Sequence, residues 1–222
     1  HYATFDIMVG FWVTLSALFS LLILSQEQAC RWYALAGLCA GLAGATKYNG
    51  AVALILPIAA HILITPWGEW GWLNGRLMLT LVTYLAGFLG GNPCALGNWR
   101  EFLNGLATVA HHYGTEQPGF EGAGNWRWYV RVFLTSADSL WVVTGLLGLG
   151  GLLARHWKKG GLLLAFPVIY FVLVSRFVVR FERNMVPLLP FLAAGGGWLL
   201  DTAADWLASR GSGNLISCWR KG

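Results

Sequence analysis

The sequence has little charge. Only 11% of its 222 residues are Asp, Glu, Lys or Arg, whereas an ordinary soluble domain carries about 25%. Hydrophobic residues make up 56% of the chain, and the mean hydropathy is +0.56. This composition excludes a soluble globular domain and indicates an integral membrane protein.

Several patterns of soluble enzymes and nucleic-acid-binding proteins are also lacking. The net charge of +5 is spread over short loops without a basic stripe, so nucleic acid is not an expected partner. The four cysteines have no CxxC spacing, and no metal motif such as HExxH occurs. No glycine-rich loop that could hold a nucleotide phosphate is present. We therefore expect no cofactor, and a divalent metal is left open only at two adjacent histidines discussed below.

The chain contains seven apolar segments that reach or approach the length of about 17 to 25 residues that a membrane-spanning helix needs. We predict an all-α polytopic membrane protein with about seven transmembrane helices, forming a single domain over residues 1–222. Because the chain begins directly before a span, we interpret it as the C-terminal part of a longer protein. The predicted spans are residues 7–26, 32–46, 51–65, 77–99, 139–154, 160–175 and 186–200.

The distribution of basic residues predicts an orientation. The short loop 155–159 reads Arg-His-Trp-Lys-Lys, and such loops favour the cytoplasm. Residues 96–138 then form an extracytoplasmic loop. Asn98 and Glu101 have the spacing of a capping box, and the apolar residues that follow predict an amphipathic helix on the membrane surface. The extracytoplasmic face also carries arginines, although the positive-inside rule favours basic residues on the cytoplasmic side.

Residues 43–50, Ala-Gly-Ala-Thr-Lys-Tyr-Asn-Gly, interrupt a long apolar run that holds no other charge from residue 32 to 64. A lysine at the centre of a bilayer costs about 2.5 to 3.5 kcal/mol, and Asn49-Gly50 tolerates the positive φ of a turn. We predict two spans that meet at a polar turn, with Lys47 at one membrane face. Lys47 then either marks a functional site or extends its ammonium to water.

Four further charged residues are candidates for chemistry. Asp6 precedes the first span, where a carboxylate either favours the helix start or accepts a proton from a substrate hydroxyl. Arg176, Arg180 and Arg183 have the i, i+4, i+7 spacing that places them on one face of a helix. Guanidinium groups suit phosphate oxygens, although the same residues could serve only as interfacial anchors.

The turn-rich part of the outward loop contains His111, His112, Tyr113 and Glu116. Adjacent histidines on a helix point in different directions, so contact with an acceptor substrate is favoured over metal binding.

The order of these motifs resembles that of a known family. They are Ala-Thr-x-Asp ending at Asp6, Thr-Lys-Tyr at Lys47, Gly91-Asn92-Pro93, and the Pro-rich stretch that begins at Arg183. The chain resembles the polytopic GT-C glycosyltransferases of the protein O-mannosyltransferase and aminoarabinose-transferase type, similar to glycosyltransferase family 39. Asn184 stands where the family pattern has a tyrosine.

The resemblance implies a function. It implies a transferase of the bacterial inner membrane that moves a sugar from a polyprenyl-phosphate donor to a hydroxyl of a protein, lipid or glycan, with an extracytoplasmic active site among membrane lipids. The principal catalytic acid lies upstream of this chain, so the chain alone is expected to be inactive. By position, Asp6 is a second catalytic acid, and Lys47 and the arginines bind the donor phosphate.

Two alternatives remain open from the residues. A transporter or flippase of an anionic lipid-linked substrate also uses broken helices and intramembrane charge, although no paired interrupted segments occur in two halves of the chain. A non-catalytic assembly subunit is the other alternative.

Overall fold

The fold is all-helical over the residues that the structure describes. This computed structural model describes residues 5–25, 29–65, 74–115, 125–135 and 139–219, with side chains to residue 210. Two 3₁₀ segments, Tyr48–Leu54 and Glu182–Leu188, precede α3 and α10. The helices are α1 (Phe5–Ser25), α2 (Cys30–Thr46), α3 (Ile55–Ile64), α4 (Gly75–Gly91), α5 (Pro93–Gly97), α6 (Trp99–Gly114), α7 (Trp126–Thr135), α8 (Ser139–Arg155), α9 (Trp157–Ser175) and α10 (Leu189–Trp219).

Within the described residues, three helices are long and apolar enough to cross a membrane: Phe5–Ser25, Trp157–Ser175 and the continuous helical stretch Glu182–Arg210. A fourth is added if α7 and α8 are counted as one broken span. Each of the seven predicted segments contains a helix, but several of these helices are short. The membrane character is therefore supported, and the count of seven spans is not confirmed.

The predicted span 77–99 shows why the count differs. The helix that begins at Gly75 ends at Gly91, and the short helix α5 starts at Pro93. A residue before proline is disfavoured in helical conformation, and Asn92 has φ −127° and ψ 64°. The chain therefore breaks inside the segment, leaving 17 residues in α4.

The predicted polar turn is present between α2 and α3. Helix α2 ends at Thr46, and Lys47 adopts an extended conformation. The two helices then run antiparallel, since the Tyr33 hydroxyl near the start of α2 lies 2.8 Å from His61 Nδ1 near the end of α3.

Helix α1 lies against α2, α3 and α9 and contributes the fully buried side chains Val9 and Val13 to the core. On the other side of the bundle α8 packs on α10 through glycines. A Cβ at Gly148 would collide with the backbone of Gly195. Small residues of this kind allow helices to approach closely in membranes, where packing replaces the hydrophobic effect as the driving force.

The helices give the molecule two polar ends. Helix α9 has 19 residues and is therefore about 28 Å long. The end that holds Lys47, together with Arg176 after α9, is called the Lys47 end. The opposite end holds Arg155 and the turn from α8 to α9, and is called the Arg155 end.

Candidate functional site

Lys47 and Asp6 form an ion pair at the Lys47 end. Lys47 Nζ donates to Asp6 Oδ1 at 2.6 Å, and the side chains are 21% and 4% exposed. Asp6 lies in the first turn of α1, and Lys47 follows the last turn of α2. These are the helix ends at which an anion and a cation are each favoured by the helix dipole.

The turn that presents Lys47 depends on Gly50. A Cβ at Gly50 would collide with the carbonyl of Ala43, and its φ is not in the left-handed region. The glycine is needed because the backbone of the turn closes on α2, and Gly50 N–H donates to Lys47 O at 2.7 Å. The tolerance of glycine for a positive φ is therefore not used at this position.

Asn184 is the second residue that holds Lys47. Its Oδ1 accepts from Lys47 Nζ at 3.0 Å, and its Nδ2 donates to the Tyr129 hydroxyl at 3.3 Å. The Tyr170 hydroxyl donates to the Asn184 carbonyl and accepts from Asn49 Nδ2, both at 2.9 Å. This network joins Lys47 to α1, α7, α9 and the two 3₁₀ segments Tyr48–Leu54 and Glu182–Leu188, so it fixes the position of the ammonium group.

A cavity of about 770 Å³ opens beside this network. Lys47 and Arg176 are its two basic lining residues, and most of the others are apolar, with the largest share from α6. Both bring positive charge to a largely apolar space. Such a space can accept a ligand with a long apolar part and an anionic group.

The three arginines of the predicted cluster do not share a helical face. Helix α9 ends at Ser175, and Arg183 belongs to a separate 3₁₀ segment. Arg176 lines the cavity. Arg180 donates to Asn125 Oδ1 at 3.3 Å, and Arg183 stacks on Phe181 at 4.4 Å. The prediction of one face was wrong because the chain turns out of the helix after Ser175.

Helix α6 forms one wall of the cavity through Tyr113. The Tyr113 carbonyl accepts from Val178 N–H at 2.9 Å, and its ring lies 5.0 Å from that of Phe177. Burial raises the pKa of the Tyr113 phenol above its ordinary value of 10.0, while nearby Arg183 lowers it and Asp6 raises it. Tyr113 is therefore a neutral donor and acceptor at physiological pH.

The remaining loop candidates are less closely placed. His111 and His112 are exposed on α6 and do not line the cavity, and the His112 ring contacts that of Tyr113. Glu116 lies outside the described residues. The helix begins after Asn98 as predicted, but Asn98 Nδ2 donates to Glu101 Oε2 at 2.6 Å, and the Asn98 side chain caps no backbone N–H. Among the described residues no group of three metal-ligating side chains is found.

Several residues of this site were not identified from the sequence. The sequence indicates only an interfacial anchor at Tyr129, a turn at Asn49 and a departure from a motif at Asn184, and it assigns no role to Tyr170. The sequence signal for these residues is a polar side chain within or beside an apolar helix, because such a group needs a hydrogen-bond partner when it is buried.

The fold and the site define an all-α protein with membrane-compatible helices and a cationic cavity at one end of the bundle. Comparisons of the chain with family models, curated proteins and solved structures find no match. The family resemblance therefore remains an expectation based on its motifs.

Proposed function

We propose that this chain is the membrane-embedded part of a glycosyltransferase that uses a polyprenyl-phosphate sugar, and that the cavity beside Lys47 binds the donor. The observation that carries the proposal is the composition of this cavity. Lys47 and Arg176 line it together with mainly apolar residues, and its volume is about 770 Å³. A polyprenyl phosphate has the matching chemistry, since an anionic group is attached to a long hydrocarbon chain.

The reaction assigned to this site is a displacement at the anomeric carbon. The bond from this carbon to the phosphate oxygen breaks, and a bond to the acceptor oxygen forms. The acceptor proton passes to a carboxylate, and polyprenyl phosphate leaves with the electron pair of the broken bond. Cations beside the phosphate stabilise its developing charge, and one well-placed donor in a dry site contributes about 3 kcal/mol.

The geometry supports a positioning role for Asp6, in place of the proton-accepting role that the resemblance implies. Its side chain is 4% exposed and is already bonded to Lys47, and it is not among the residues that line the cavity. In this proposal Asp6 and Asn184 orient the Lys47 ammonium. The proton acceptor is then supplied by a part of the protein outside this chain.

The proposal includes a wider arrangement. Seven helical segments cross the bacterial inner membrane, the Lys47 end is extracytoplasmic, and α6 lies on the membrane surface as one wall of the acceptor cleft. Arg180 acts through Asn125, to which it donates a hydrogen bond, and Arg183 lies beside Phe181. A transporter is less well supported, since its site is expected near the midplane, whereas this cavity is at one end of the bundle.

The test is an assay of the full-length protein, including any upstream segments, with a radiolabelled polyprenyl-phosphate sugar in proteoliposomes. Lys47→Ala and Arg176→Ala are expected to reduce kcat/KM about 100-fold, as for removal of one electrostatic donor. Arg100→Ala removes an exposed arginine of α6 that does not line the cavity, and serves as the control. Equal turnover in all three variants at normal expression would reject the assignment.

A further inference from the structure

A second cavity lies at the Arg155 end, far from the proposed donor site. Its volume is about 500 Å³, and its walls come from the end of α8, the turn to α9, and the middle of α10. The lining includes two basic and two acidic side chains and two indoles, namely Arg155, His156, Trp198, Asp201, Asp205 and Trp206.

The charged groups of this cavity are not paired with each other. Among the described residues, none of the four ionisable side chains forms an ion pair or a side-chain hydrogen bond. Asp201 and Asp205 are four residues apart on α10, so they project from the same side of the helix. Arg155 at the end of α8 and His156, which follows it, line the same cavity. Basic and acidic side chains from different helices therefore line one concave space.

With α9 crossing the membrane, as its length and apolar composition allow, the cavity lies near the level of lipid headgroups. Helix α9 separates it from the Lys47 end by about 28 Å, close to the thickness of the hydrocarbon core of about 30 Å. Leu153 of α8 and Leu200 of α10, which are 39% and 66% exposed, offer apolar surface near this end of the two helices. The indoles of Trp198 and Trp206 have the amphipathic character typical of this interface.

We propose that this cavity binds the headgroup of phosphatidylethanolamine. The phosphate is placed against Arg155 and His156, each of which offers N–H donors, and the primary ammonium against the carboxylates of Asp201 and Asp205. The acyl chains lie outside the cavity, along the apolar surface of the bundle. No activity is assigned to this site, and it does not depend on the proposed transferase function.

The charges of the cavity favour this headgroup over two common alternatives. A phosphatidylglycerol headgroup carries only negative charge, so it has no cation that could neutralise the carboxylates of Asp201 and Asp205. Arg210 stacks on Trp206 at 3.9 Å. It is not part of the cavity lining, so it adds no positive charge to that lining. A choline headgroup has the right charges, but its quaternary ammonium has no N–H to donate to a carboxylate. A primary ammonium satisfies both requirements.

The test uses native mass spectrometry of the full chain, with equal amounts of phosphatidylethanolamine, phosphatidylcholine or phosphatidylglycerol added in detergent. One molecule of phosphatidylethanolamine is expected to bind about fivefold more tightly than the others, as for exposed ion pairs of up to 1 kcal/mol. Equal affinity for the three lipids would overturn the proposal. So would displacement of the bound lipid by equimolar soluble glycerophosphoethanolamine, because the site would then recognise only a free headgroup.

Substitutions of the lining residues test whether the lipid binds in this cavity. The double substitution Asp201→Asn and Asp205→Asn is expected to abolish the preference for phosphatidylethanolamine and to raise binding of phosphatidylglycerol, while Arg155→Ala weakens both. Glu101→Gln and Arg127→Ala change exposed charges on α6 and α7 and should leave the preference intact. Because the substituted residues are exposed, helix content by circular dichroism should not change. A preference that survives the double substitution in folded protein would place the lipid elsewhere and overturn the assignment.

Discussion

Lys47 Nζ lies 2.6 Å from Asp6 Oδ1, although the two residues are 41 positions apart in the chain. This ion pair joins the start of α1 to the end of α2 at the edge of the larger cavity. Asn184 completes it from the far end of the sequence, with Oδ1 3.0 Å from the same ammonium. The cation of the proposed donor site is therefore held by two separate parts of the chain.

Asp6→Asn tests the role of this pair. The substitution keeps the shape of the side chain but removes the charge that orients Lys47. We expect a loss of stability of about 1 to 2 kcal/mol, less than for a fully buried pair because Lys47 is partly exposed. In the full-length protein the KM for the proposed donor should rise more than kcat falls, since the cation proposed to bind its phosphate is displaced.

Thermal unfolding in detergent and steady-state kinetics check these two effects. If Asp6 instead accepts the proton, kcat falls by several orders of magnitude while KM for the donor stays constant. Glu101→Gln, an exposed carboxylate away from the cavity, is the control for loss of a negative charge.

The turn at Lys47 was predictable because a lone charge in an apolar run has few acceptable positions. The sequence locates the end of α2 at Thr46 and the antiparallel return of α3. It does not locate the partners of Lys47, because Asp6 and Asn184 are brought to it only by packing of α1 and the segment Glu182–Leu188. Local periodicity carries no information about such distant contacts.

Two predictions, the span 77–99 and the shared face of the three arginines, were wrong because each assumed a continuous helix. Pro93 disfavours helical conformation at Asn92, yet the uncharged run around it was treated as one span. The spacing of Arg176, Arg180 and Arg183 predicts one face only if the helix continues. The structure ends α9 at Ser175, so the spacing has no meaning there.

The close contact between α8 and α10 predicts that substitution of Gly148 destabilises the protein. Gly148→Ala places a methyl group against the backbone of Gly195 and should destabilise the protein by about 1 to 3 kcal/mol through overpacking. Gly150→Ala is the matched control on the same helix, since a Cβ there meets nothing within 4 Å. Its effect should be neutral or slightly stabilising. Equal melting temperatures of the two variants would contradict the packing described for α8 and α10.

The raised pKa of the Tyr113 phenol predicts a pH dependence. Burial favours the neutral form, so the unfolded chain loses this proton at a lower pH than the folded one. The contribution of Tyr113 to stability is therefore complete below pH 10 and is lost as the pH rises through the folded-state pKa. Tyr113→Phe should show a smaller loss of stability above pH 10 than the wild type in denaturant titrations. Parallel curves for the two proteins would show that the phenol titrates normally.

The cavity itself can be closed from α6 without altering any charged group. Ala110 lines the cavity, whereas Ala107 of the same helix does not, and both alanines are exposed. Ala110→Trp should fill part of the volume and raise the KM for a polyprenyl-phosphate donor about tenfold, equivalent to 1.4 kcal/mol of lost binding. Ala107→Trp introduces the same side chain outside the cavity and should leave KM unchanged. Photo-crosslinking with a benzophenone-bearing donor provides an independent readout, because labelling should decrease only in Ala110→Trp. If both variants bind the donor like the wild type, the donor occupies another part of the protein, and the cavity lined by Lys47 and Arg176 is not its site.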